Sequence, residues 1–130
     1  MRALIAAALF ALCAGAAAAL PAGLLGRTWT PIRQDHGLDP PSQRPTIVFN
    51  EEGASGRTAC NQWQARFAGI APHIRFTDFR VTEVSCPPPL QRIEQTFLEG
   101  LRRMDGMRPE GGSLVLIDAA GREIMRLAPE

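Results

Sequence analysis

Two cysteines, Cys60 and Cys86, constrain this chain more than any other feature. The third, Cys13, lies inside an N-terminal stretch that reads as a secretory leader. Arg2 supplies a positive charge, residues 3–20 carry none, and small residues crowd the end of the stretch. This is the n-region, h-region and A-x-A order of a cleaved signal, with Ala17 and Ala19 at the small-residue positions. The leader is therefore assigned to residues 1–19, with cleavage after Ala19 and Ala22 as the second choice. An uncleaved anchor is the alternative, since the apolar run approaches the length of a bilayer span. Lipid attachment at Cys13 is disfavoured because Leu12 precedes it, where a small residue is needed.

Export followed by two cysteines describes a small domain matured in an oxidising compartment, with Cys60 joined to Cys86. Two buried free thiols are the competing reading. About 110 residues remain after cleavage, enough for one domain, at residues 20–130. A domain of that size leaves much of its surface in water, so a covalent staple contributes a sizeable share of its stability.

Removing Arg2 leaves 13 Arg against 13 acids, and there is no Lys. A near-zero charge excludes simple electrostatic binding of nucleic acid or anionic membrane. The Arg-, Ala- and Pro-rich composition matches a GC-rich genome, and the expected address is a bacterial periplasm or cell envelope.

Strand signals dominate. Thr28-Trp29-Thr30-Pro31-Ile32 is a short β-branched and apolar run. Residues 46–49 form a strand ended by the turn Asn50-Glu51-Glu52-Gly53. Residues 56–61 and 64–67 read as extended chain. Residues 74–79 and 81–85 continue it, with a bend at 78–80. Residues 113–117 and 123–127 flank Asp118-Ala119-Ala120-Gly121, a hairpin with glycine where φ > 0 is wanted. One helix interrupts the strands. After Pro87-Pro88-Pro89, Leu90, Ile93, Phe97, Leu101 and Met104 follow the spacing of one helical face. Gly106 is expected to close that helix in the left-handed region. The fold class is α+β and mainly β: a small curved antiparallel sheet or β-barrel-like domain covered by one amphipathic helix.

The order of motifs resembles the META domain family, which includes the HslJ-like heat-shock proteins. The likeness rests on Gly26-Arg27-Thr28-Trp29, on Pro45-Thr46-Ile47-Val48-Phe49 with Gly53 and Gly56, and on Ala59-Cys60-Asn61-Gln62-Trp63. It continues through Thr82-Glu83-Val84-Ser85-Cys86-Pro87, the helix residues Glu94, Phe97 and Leu101, and Leu114-Val115-Leu116 with Gly121. Ala59 stands where the family usually has glycine, and Val84 where methionine is common. The resemblance implies a compact exported or envelope-associated domain linked to stress and drug tolerance, with no agreed enzymatic activity.

Candidate sites are sparse. Cys60 and Cys86 are too far apart in sequence for a catalytic dithiol, and no Lys or His flanks them, so a structural disulfide is the stronger reading. Asn61 is expected to satisfy backbone groups in a tight turn. His36 and His73 lack partners at ligand spacing, so no metal and no cofactor is expected. Ser42, Ser55, Ser85 and Ser113 lie in no nucleophile elbow, and Glu51 and Glu52 belong to a turn. Trp29 reads as core. Trp63 is open between core and contact, and with Arg66 forms the candidate contact patch.

The expected function is a non-enzymatic, monomeric envelope protein that binds an envelope protein or a small apolar ligand. The alternative is a small secreted inhibitor or binding module directed at a cell-wall hydrolase or another envelope partner. No membrane span is expected after cleavage. Protein recovered from periplasm should lack residues 1–19 by intact mass; a mass equal to that of the whole chain would contradict the leader.

Overall fold

The computed structural model describes residues 20–32 and 43–130. The leader with Cys13, together with His36 and Ser42, lies outside the described residues. Eight strands and one helix follow in the order β1 (Thr28–Pro31), β2 (Ile47–Phe49), β3 (Gly53–Arg57), β4 (Gln62–Ile70), β5 (His73–Val81), α1 (Pro88–Arg103), β6 (Gly106–Glu110), β7 (Ser113–Ile117) and β8 (Glu123–Pro129). They build one antiparallel sheet in the order β5-β4-β3-β2-β1-β8-β7-β6. Each step between neighbours pairs strands consecutive in sequence except β1–β8, which joins the first and last strands in the middle of the sheet.

The edges of the sheet are β5 and β6, and α1 connects them. They are not paired as a ladder, so the sheet curves without closing into a barrel. It curls far enough for the edges to approach: a Cβ on Gly106 would lie 3.0 Å from the Pro72 carbonyl oxygen. His73 Nδ1 stands 2.7 Å from Asp105 Oδ2 across the same gap.

Strand alternation decides what faces inward. In β4, Trp63 and Ala65 are buried while Gln62, Gln64 and Arg66 are exposed. Ile47, Phe49, Phe76, Leu114, Leu116 and Leu127 complete the inner face. Phe76 lies at the centre of an aromatic cluster, stacked on Phe49 and Phe67 and edge-on to Trp63. The helix covers this cluster with Phe97, Leu98 and Leu101, and the Phe97 ring meets Trp63 edge-on at 5.7 Å. Trp63 Nε1 donates to the Thr46 carbonyl and Trp29 Nε1 to the Leu24 carbonyl, so neither indole N–H is left unpaired in the core.

Three details differ from the sequence reading. Gly106 does not cap the helix. The helix ends at Arg103, Met104 is extended, and Gly106 opens β6 because Asp105 N–H already donates to the Ile117 carbonyl. Strand β6, with Pro109 inside it, has no counterpart in the sequence reading, and proline is tolerated there because β6 is an edge. Strand β3 begins at Gly53, and residues 58–61 form a turn where extended chain is expected. The bend near residue 78 is present: Asp78 has φ 52° and faces a register shift between Gln64 and Arg66. Gly121 has φ 77°, as the β7–β8 hairpin requires. In that hairpin Asp118 Oδ1 accepts from the N–H groups of Arg122 and Ala120. The Arg122 backbone bond, the largest cause, holds the Asp118 carboxyl below its ordinary range.

Phe97→Ala removes a side chain packed on Trp63 and should cost about 3–5 kcal/mol. Arg102 is exposed and reaches the Phe79 ring at 5.0 Å. Arg102→Ala should therefore cost no more than about 1 kcal/mol. Urea denaturation compares the two, and equal costs would show that the buried face of α1 is misassigned.

Candidate functional site

Two features stand out beyond the core: a polar knot around the disulfide, and a groove beside α1. The knot lies where β3 turns into β4. Thr58 N–H donates to the Asn61 carbonyl, and Asn61 N–H donates back to Thr58 Oγ1, which closes the turn. Cys60 at the tip of that turn is joined to Cys86, with Cα atoms 6.2 Å apart. The bond encloses 26 positions, and the chain-entropy model assigns such a loop about 3.5 kcal/mol.

Asn61 is buried and uses its whole amide. Its Nδ2 donates to Glu94 Oε2 at 2.9 Å and to the Val84 carbonyl at 3.3 Å. Its Oδ1 accepts from Val84 N–H at 2.7 Å and from Thr82 Oγ1 at 2.9 Å. Both donors and both lone pairs are therefore engaged. Asn61 thus does more than settle its own turn: it binds the segment after β5 and the first half of α1 together. Glu94 Oε2 also accepts from Thr58 Oγ1 at 2.5 Å and stands 3.3 Å from Cys60 Sγ.

Cys60, Cys86 and Glu94 place possible ligand atoms within 4.8 Å of one another. Metal binding by cysteine requires a thiolate, and here the two sulfurs are bonded to each other. In this state the cluster is a structural tie.

The groove runs along the flank of α1. Pro89, Ile93, Thr96, Phe97 and Gly100 form one wall, Ile124 and Met125 of β8 the other, and Pro31 and Pro45 close one side. Arg92 and Arg103 also line it. Its volume is about 470 Å³, within the range of small-molecule sites. Gly100 sets its depth, because a Cβ there would lie 2.9 Å from Met125 Cε.

The META domain model matches residues 22–130. The chain belongs to the META domain family. Its fold is similar to the NMR structure of a protein from Burkholderia xenovorans, at 19% identity and a TM-score of 0.60, over 82% of this chain and 83% of that one. A second NMR structure is similar at 17% identity and a TM-score of 0.59, over 78% of this chain and 87% of that one. No curated protein matches the chain.

Within this META domain, the expected patch of Trp63 and Arg66 is not brought together. Trp63 is 2% exposed and belongs to the core, while Arg66 is exposed on the outer face of the sheet. Their odd spacing along β4 places them on opposite faces, which excludes Trp63 as a contact residue. His73 is paired with Asp105, but its side chain is 72% exposed and the pair lies at the rim of the sheet, outside the groove. Ser55 lies on β3, Ser85 in the segment before α1 and Ser113 at the start of β7. Glu51 and Glu52 are exposed in their turn. No helix of the described residues is long and apolar enough to cross a membrane.

Sequence reasoning named Glu94 within the family motif but gave it no role, and it passed over the groove. Glu94 carried a signal, a charged residue set inside the apolar stripe between Leu90 and Leu101. The groove carried a weaker one. Ile93, Thr96 and Gly100 widen the small and apolar side of the helix beyond a single stripe.

Ala59 has φ 144° at the position where the family usually carries glycine. That conformation is costly for any residue with a Cβ. Ala59→Gly should raise stability by about 1 kcal/mol. Asn61→Asp keeps the shape but sets an oxygen against Glu94 Oε2 and should lower stability by about 2–4 kcal/mol. Both are read by urea denaturation of the oxidised protein. A loss on Ala59→Gly, or no loss on Asn61→Asp, would contradict this account of the knot.

Proposed function

We propose that this META domain is a non-enzymatic exported protein of the bacterial envelope that acts by binding, with the groove beside α1 as its ligand site and stress or drug tolerance as its setting. The observation that carries this reading is the groove itself. It is open, mostly apolar, and bounded on one side by a helix whose position is fixed by the disulfide knot. A preorganised apolar site loses little entropy on binding. The ionisable groups support binding over catalysis. The cysteines are joined, Glu94 serves the knot, and the His73–Asp105 pair stands in solvent where no enclosed substrate would meet it.

A second reading has one observation in its favour. Arg57, Arg66, Arg75 and Arg80 are exposed on the outer face of β3, β4 and β5, and none is ion-paired among the described residues. An acidic protein partner, such as a cell-wall hydrolase held by an inhibitor, would suit that face.

The groove reading is tested with an uncharged apolar fluorophore, N-phenyl-1-naphthylamine, on oxidised protein. Saturable binding with one site per chain is expected, and Thr96→Trp, which fills the groove from an exposed position, should abolish it. Absence of saturable binding, or binding indifferent to Thr96→Trp, would contradict the reading. Retained cellular function in Thr96→Trp, with loss in Arg66→Glu combined with Arg80→Glu, would favour the second reading.

A further inference from the structure

The groove is apolar along its length and cationic at both ends. Arg92 and Arg103 lie 103 − 92 = 11 positions apart on α1, which corresponds to about 16 Å along the helix axis. Between them the wall is Ile93, Thr96, Phe97 and Gly100, and among the described residues no acid lines the groove. Neither arginine forms an ion pair among the described residues.

The two arginines are not equivalent. Arg103 lies in the last turn, where a cation complements the negative end of the helix dipole. Arg92 lies beyond the first turn, so neither helix end offsets its charge. Prolines at the first two helical positions supply no N–H, and the Leu90 and Gln91 N–H groups donate to the Pro87 carbonyl. The backbone there is already satisfied, which leaves the Arg92 guanidinium as the cationic donor at that end of the groove.

We propose that the groove takes a monomeric single-chain amphiphile with an anionic head, its head at Arg92 and its alkyl chain along Ile93, Phe97 and Gly100 toward Met125. This proposal rests on the groove being a binding site and adds the class of ligand and its direction. The volume suits one small molecule, and a chain laid along the helix meets apolar wall for most of its length. Guanidinium recognises carboxylate and phosphate heads alike through paired N–H donors.

The test uses oxidised full-length exported protein with dodecanoate, dodecyl phosphate and the uncharged dodecanol, each below its aggregation concentration, displacing N-phenyl-1-naphthylamine. Both anions should bind about fivefold tighter than the alcohol, a preference that shrinks at high salt. Arg92→Gln should bring the anions down to the level of the alcohol, while Arg103→Gln should keep most of the preference. Thr96→Trp should abolish binding of all three. Equal affinity for anions and alcohol would overturn the proposal and leave the groove as a neutral apolar site. Loss of the preference in Arg103→Gln alone would overturn the assigned direction. Displacement that survives Thr96→Trp would place the amphiphile elsewhere and overturn it as well. Failure of the fluorophore itself to bind would overturn both this proposal and the binding reading beneath it.

Discussion

The amide of Asn61, set against the Cys60–Cys86 bond, is the interaction on which the rest of the structure depends. The segment between β5 and α1 has few other holds. Its first residue is tied to β4 by two bonds, Thr82 N–H to the Gln62 carbonyl and Gln62 N–H to Thr82 Oγ1, and beyond that it relies on Asn61 and the disulfide. Through Glu94 the same amide reaches the helix. One side chain thus fixes a strand end, a linker and a helix relative to one another. The groove exists because α1 is held in that position. A single amide is sufficient because every polar group it presents is satisfied in a partly dry site, where such networks are strong.

The topology explains why a tie is needed there. The first and last strands meet in the middle of the sheet, so both are paired on either side, while the edges β5 and β6 are joined only through α1. The helix has no side-chain N-cap and few contacts of its own beyond the aromatic cluster and the flank of β8. Like most helices in proteins, it draws its stability from tertiary packing more than from propensity. The His73–Asp105 pair across the open seam is exposed and contributes little, as solvent-facing pairs generally do. Apolar packing under Phe97 and Leu101, with the covalent and hydrogen-bonded anchor at the start of the helix, does the rest.

Much of this was legible in the sequence, for physical reasons that vary by element. The helix was read correctly because Leu90, Ile93, Phe97 and Leu101 fall at helical spacing regardless of what they pack against. The β7–β8 hairpin was readable because Gly121 answers a local demand of the turn. Strand β6 was not, because Pro109 and the glycines around it argue against a strand, and only its edge position excuses them. Gly106 was misread because a glycine after a helix suits two roles, and the close approach to Pro72 that selects the second is a long-range fact. Trp63 and Arg66 show the limit most plainly, since sequence proximity hid the opposite faces of a strand. The groove draws its walls from β1, the segment before β2, α1 and β8, which no local pattern brings together.

In the reading proposed above, function in this META domain follows from position more than from chemistry. Among the described residues the cysteines and Glu94 are engaged in the knot, and the surface also carries an apolar groove with an arginine at either end and an arginine-bearing outer face. The claim beneath all of this is that the knot of Asn61 and the disulfide holds α1 in place. Amide hydrogen exchange on the oxidised and the reduced protein, measured side by side, tests it most directly. The account predicts that reduction strips protection from the amides of α1 while those of β7 and β8 stay protected. Helix amides that remained as protected as those of β7 after reduction would contradict it.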